Sequence, residues 1–149
     1  MTRRGKRERG ASQGVQQGMK PATSPLRILI VENDQDTRNF FKLYLEQLGH
    51  RPDAVNGVSD ALAALVQSRY DVLFVDIGLT DGSGWDLMNI VKEREIPCPR
   101  YSIAMTGYGL PEDRARSEAA GYRHHLLKPF EPAKIKTLLQ DASRKLADA

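Results

Sequence analysis

Between Leu26 and Asp148 five short apolar runs alternate with five segments of helical period, and no other feature constrains the fold as strongly. The runs "LRILIV" (26–31), "RPDAV" (51–55), "YDVLFVDI" (70–77), "RYSIAM" (100–105) and "YRHHLL" (122–127) have the length and β-rich content of strands. The intervening segments "DTRNFFKLYLEQLG" (36–49), "SDALAALVQS" (59–68), "WDLMNIVKE" (85–93), a stretch entered at Pro111, and "EPAKIKTLLQDASRKLAD" (131–148) read as helices. Gly49 is placed to cap the first helix, Ser59 to cap the N-terminus of the second, and Pro111 to occupy the first turn of the fourth. Pro52 cannot donate to a ladder, so its strand belongs at a sheet edge. Alternation of this kind implies an α/β domain with a parallel sheet covered on both faces.

Composition narrows the class. A hydrophobic share of 40% and a charged share of 28% are those of a globular domain. No apolar run is long enough to cross a bilayer, and the basic "MTRRGKRERG" is not followed by the apolar stretch of a secretory signal. Cys98 is the only cysteine, which excludes an internal disulfide and fits a cytoplasmic setting. The net charge of +3 is unevenly spread: residues 1–25 hold six of the 22 basic side chains and one of the 19 acidic ones, giving +5 there and −2 in the rest. Residues 1–25 therefore read as a disordered basic tail ahead of a domain over 26–149. Such a tail could touch nucleic acid, but a solvated leader is the plainer reading.

In open sheets of this class ligands bind at the carboxyl ends of the strands. The first strand ends in Glu32, Asn33 and Asp34, the third in Asp76, the fourth in Thr106 and the fifth in Lys128. Carboxylate and amide oxygens suit a hard cation such as Mg²⁺. An aspartate between a metal and a lysine is equipped as a nucleophile toward a phosphoryl group, and a threonine hydroxyl can hydrogen-bond a transferring oxygen. Singly these residues have ordinary explanations, since Asp34 or Asp36 could be a helix N-cap, Thr106 a turn residue and Lys128 a surface lysine. Their coincidence at successive strand ends is what indicates a site.

The segments "ILIVEND…R", "VLFVDIGLTDGSGWDLM", "IAMTGYG…ED" and "HHLLKPF" resemble the receiver domain of two-component response regulators, most closely the receivers of hybrid histidine kinases. Asp76 precedes Thr106 by 30 positions and Thr106 precedes Lys128 by 22, as in that family. The resemblance implies a flavodoxin-like (βα)5 doubly wound sheet of strand order 2-1-3-4-5, which puts the Pro52 strand at an edge. It implies that Asp76 accepts a phosphoryl group from a histidine kinase or histidine phosphotransfer protein. Mg²⁺ would be held by Glu32, Asn33, Asp76 and the Gly78 carbonyl. Lys128 would pair with the phosphoryl group, Pro129 would follow a cis peptide bond, and Thr106 would move toward the phosphate on activation. The chain would be no enzyme beyond its own phosphoryl transfer and hydrolysis. With no further domain after Ala149, output would pass through the 112–147 face to a protein partner, with a homodimer possible and no membrane role.

Several positions depart from the family pattern. Asn33 stands where an aspartate is usual; it keeps a carbonyl oxygen but loses a charge, so Mg²⁺ binding should weaken roughly 10- to 100-fold. His125 lies three positions before Lys128, where an aromatic switch residue is usual; it reads as an ordinary strand residue or as a pH-sensitive switch. His124 and His125 are adjacent and should face opposite ways, so they form no metal pair. Thr80 replaces a usual proline, Gly78 and Tyr108 flank the phosphoryl position, and Trp85 reads as a core cap. Three other classes can be weighed. A degenerate receiver would bind protein regardless of phosphorylation. An aspartyl phosphohydrolase would need an acid two residues after Asp76, where Gly78 stands, and a dinucleotide enzyme lacks its glycine motif.

Overall fold

The computed structural model describes residues 24–107 and 109–148. The expected tail over 1–25 lies outside the described residues except for Ser24 and Pro25, and Tyr108 lies outside them too. The elements alternate as β1 (Arg27–Val31), α1 (Gln35–Gln47), β2 (Arg51–Val55), α2 (Val58–Gln67), β3 (Val72–Asp76), α3 (Gly84–Glu93), β4 (Tyr101–Thr106), α4 (Pro111–Ala120), β5 (His124–Leu127) and α5 (Pro132–Ala147). All strand pairs are parallel and the order is β2-β1-β3-β4-β5. This is the expected doubly wound sheet.

Strand β3 is buried along its whole length, as a central strand covered on both sides must be. One face packs Ile28, Ile30, Phe74 and Ile103 against Phe41 and Leu45 of α1 and Ile135 and Leu139 of α5. The other packs Leu29, Val31, Leu73 and Val75 against Val58 and Leu65 of α2, Leu87 and Met88 of α3, and Ala120 of α4. Trp85 packs against this second layer, as expected, and its Nε1 donates to Ser117 Oγ at 2.8 Å.

Pro52 lies on edge strand β2, paired with Ile28. Arg51 N–H donates inward to the Leu26 carbonyl at 2.9 Å, so the next residue turns its nitrogen outward. The missing donor of Pro52 thus falls on the open edge. The chain enters β1 through the Leu26 N–H, which donates to His50 Nδ1 at 3.0 Å.

The strands over 70–77 and 122–127 are shorter than the apolar runs suggested. Tyr70 instead donates its hydroxyl to Asp53 Oδ2 at 2.7 Å, and buried Tyr122 donates to the Gly84 carbonyl at 2.6 Å.

The cap of α2 is a correction. Ser59 lies inside the helix, and Gly57, its N-cap residue, offers no side chain. The first N–H groups are served from the β3–α3 loop: Asp81 Oδ1 accepts from Val58 N at 2.8 Å and Oδ2 from Ser59 N at 3.1 Å. A Cβ at Gly57 would meet Asp81 Oδ1 at 2.6 Å, so the carboxylate needs a glycine there. The Val58 and then the Ser59 N–H hold the Asp81 carboxyl below its usual range. A lowered carboxyl pKa contributes stability above the unfolded value of 3.8 and loses it as pH falls through the folded value. Asp81→Ala is therefore expected to lower the unfolding midpoint by a few degrees at pH 7. The gap from wild type should close in acid; a gap independent of pH would show that the carboxylate is not the source.

Candidate functional site

Backbone bonds just past the strand ends fix the site residues. Glu32 N–H donates to the Val55 carbonyl (3.0 Å), Ile77 N–H to Met105 (2.9 Å) and Lys128 N–H to Thr106 (2.9 Å). Asp76 is level with Met105 in the register, so Thr106 stands one residue beyond it on the neighbouring strand. The Lys128–Pro129 peptide is cis, as expected.

Between the ends of β1 and β3, where α1 and α3 leave to opposite faces, two buried acids share one lysine. Glu32 is 0% exposed and Asp76 6%. Lys128 Nζ lies 2.9 Å from Glu32 Oε1 and 2.9 Å from Asp76 Oδ2. Asp76 Oδ1 accepts from Gly78 N–H at 2.9 Å, and Glu32 Oε2 accepts from Asp34 N–H at 3.0 Å. Glu32 Oε1 meets the ammonium as an ion pair.

The ionisation of this trio is asymmetric because one ammonium serves two carboxylates. Burial raises the Glu32 carboxyl pKa, the Lys128 contact opposes it, and the neighbouring Asp76 charge adds to the rise. Burial pulls the Lys128 ammonium down, yet Glu32 and Asp76 outweigh it and hold the lysine above its usual value. Lysine is thus held charged while Glu32 is ionised at a cost. A raised carboxyl pKa contributes stability that is full below 4.5, the usual glutamate value, and is lost as pH rises through the folded value. Glu32→Gln is expected to raise the unfolding midpoint by a few degrees near pH 7, with the gain shrinking toward pH 4. A lower midpoint at pH 7 would show that the lysine contact outweighs burial.

The sequence-predicted residues divide as follows. Glu32, Asp76, Gly78 and Lys128 come together, and Thr106 stands at the adjoining strand end. Asn33 is exposed at the bend between β1 and α1, on the same rim. Asp34 is the N-cap of α1, accepting from Thr37 N at 2.9 Å and Thr37 Oγ1 at 2.6 Å. His125 is not brought into the cluster; it pairs with Ala104 in the sheet and feels Arg114 and Glu118 of α4. His124 lies 3.8 Å from Asp141 of α5, so the two histidines face different helices. Among the described residues no group of three or more His, Cys, Asp or Glu is arranged to hold a metal. The donor set nonetheless fits a hard divalent cation: two buried carboxylates, an amide and a backbone carbonyl.

Sequence reasoning assigned no role to two contributors. Arg38 reaches back over the β1–α1 loop, donating from Nη1 to the carbonyls of Glu32 (2.8 Å) and Asn33 (3.3 Å). A groove beside Lys128 is lined by Asp36, Thr37, Phe40, Pro129 and Phe130. Only the outward-facing aromatic at position 40 could have signalled it.

A doubly wound parallel sheet with an acid pair and a lysine at its switch point belongs to the class of domains that bind ligands at the carboxyl ends of their strands. A family model described as the response regulator receiver domain matches residues 28–140. The chain belongs to the response regulator receiver family. It is 29% identical over 125 residues to the transcriptional regulatory protein PcoR of Escherichia coli, covering 81% of this chain and 54% of PcoR. It is 30% identical over 120 residues to the hybrid signal transduction histidine kinase L of Dictyostelium discoideum, covering 76% of this chain and 7% of that protein. The chain thus spans about half of PcoR and a small part of the kinase. A CheY-like receiver domain structure from Methylobacillus flagellatus superposes with a TM-score of 0.71 at 30% identity, covering 80% of this chain and 99% of that one. Receiver domains are signalling modules, and among the described residues no helix is long and apolar enough to cross a membrane.

Proposed function

We propose that Asp76 accepts a phosphoryl group from a phosphohistidine on a histidine kinase or phosphotransfer protein, with Mg²⁺ as cofactor. The observation that carries this reading is the single ammonium shared at 2.9 Å by Glu32 and Asp76 beside the end of β4. An Asp76 carboxylate oxygen attacks phosphorus, the P–N bond to the donor imidazole breaks, and the imidazole leaves with the bonding pair and takes up a proton. Lys128, already against Asp76 Oδ2, is placed to follow the negative charge onto the phosphoryl oxygens, and the Thr106 hydroxyl is one strand away. Glu32, Asn33, Asp76 and the Gly78 carbonyl are the residues that would hold Mg²⁺, which would offset phosphoryl charge when bound. Exposed Phe40, 48% accessible, lines the groove beside Lys128 and offers the donor protein an apolar seat.

Output would pass through α4, β5 and α5 to a protein partner. A second reading, a binding module independent of phosphorylation, is favoured by one observation, the amide at the exposed Asn33 position.

The deciding experiment incubates the protein with acetyl phosphate, and separately with a phosphohistidine donor, across a Mg²⁺ series, scoring the adduct by intact mass. The expected result is an adduct that Asp76→Asn abolishes and that requires roughly 10- to 100-fold more Mg²⁺ than an Asn33→Asp variant. No adduct from either donor would overturn the proposal in favour of the binding module.

A further inference from the structure

Glu32 and Asn33 are consecutive, and consecutive side chains on an extended strand point to opposite sides. Both can serve one ion only if the backbone bends between them, and Asn33 is at such a bend. The carbonyls of Glu32 and Asn33 lie beyond the end of the β1 ladder, ahead of the first turn of α1. Arg38, one turn into α1, supplies a donor to both: its Nη1 lies 2.8 Å from the Glu32 oxygen and 3.3 Å from the Asn33 oxygen. On the other side the Asp34 N–H is held by Glu32 Oε2 at 3.0 Å, and the Asp34 carboxylate is engaged by Thr37. The helix bond from Arg38 N–H to the Asp34 carbonyl, 2.9 Å, anchors the arginine to the same loop.

From this geometry we propose that Arg38 is a positioning residue for the cation: it holds the peptides of Glu32 and Asn33 so that both side-chain oxygens reach one ion. The proposal rests on the reading of those two residues as cation donors. A neutral amide oxygen binds a divalent ion more weakly than a carboxylate, so its placement carries more of the affinity here. The guanidinium also carries a positive charge, which by itself repels a cation. The two effects oppose each other and respond differently to salt: repulsion near the surface is screened, whereas a pair of hydrogen bonds to backbone carbonyls is not. Positioning dominates because both contacts, at 2.8 and 3.3 Å, are directed at the loop carbonyls themselves.

The test titrates MgCl₂ into wild type, Arg38→Ala and Arg38→Lys, following the amide resonances of Glu32, Asn33 and Gly78, at low and high salt, with unfolding midpoints alongside. Arg38→Ala is expected to raise the Mg²⁺ dissociation constant about 10-fold, by an amount that salt does not change. Arg38→Lys, which keeps one multi-donor nitrogen, is expected to recover part of the loss; it also serves if the alanine variant does not fold. A purely structural role would lower the midpoint and leave the dissociation constant unchanged. Equal or tighter Mg²⁺ binding in the folded variants would overturn the inference. No Mg²⁺-dependent shift in wild type itself would instead defeat the cation site of the proposed function, and this inference with it.

Discussion

Lys128→Met is expected to destabilise the domain by about 2 kcal/mol near pH 7, and millimolar Mg²⁺ is expected to restore much of that loss. Removing one partner of a buried ion pair typically costs about 3–5 kcal/mol, because the other charge stays buried without compensation. Lys128 is 28% exposed, so solvent reaches the site and the lower figure applies. Without the ammonium, the Glu32 and Asp76 carboxylates face each other, and Glu32 Oε1 loses its one close cation. A divalent cation would then supply the missing positive charge. Binding to the folded state alone stabilises in proportion to the logarithm of ligand over dissociation constant. The Mg²⁺-dependent rise in midpoint should therefore be larger in the variant than in wild type. Equal rises would mean that Lys128 and the cation do not compete for the same carboxylates.

Phe41→Ala should be more damaging still, by about 3–5 kcal/mol, as for other large aromatic truncations in a core. Phe41 is 0% exposed and meets Phe74 edge-on at 4.8 Å and Phe130 at 5.5 Å between ring centroids. It therefore joins α1 to β3 and to the segment after cis-Pro129. Truncation leaves a void that a rigid β3 cannot fill, so the loss comes from transfer and cavity together. Because Phe130 lies 5.9 Å from Lys128 Nζ, the same change should loosen the lysine in its pocket. Urea unfolding is the measurement, with a reduced transition midpoint and an unchanged slope. A loss below about 1 kcal/mol would show that neighbouring side chains collapse into the space.

What was legible in the sequence was whatever depends on local pattern. The runs of β1, β3 and β4 are buried because they are apolar, Pro52 lies on the edge because it lacks a donor, and Pro111 opens α4 because its fixed φ suits a first turn. Glu32, Asp76 and Lys128 could be grouped in advance because a parallel sheet delivers every strand end to one rim. What escaped depends on partners distant in sequence. Ser59 looked like a cap because serine often is one, but the carboxylate serving α2 comes from Asp81, more than twenty residues later. Tyr122 looked like strand because it continues an apolar run, whereas its hydroxyl is drawn to Gly84. Arg38 stood in the motif "ILIVEND…R" but without a role, since the carbonyls it serves lose their ladder only where β1 stops.

All five strands run the same way, and the Leu26 N–H is pinned by His50 at their starting end. The chain therefore joins the domain at the pole opposite Asp76, separated from it by the five residues of β1, about 16 Å of strand. A tether attached ahead of Leu26, to a bead or a sensor chip, would leave the acidic mouth pointing into solution. Donor proteins could then be assayed on immobilised molecules without the support shielding the pocket.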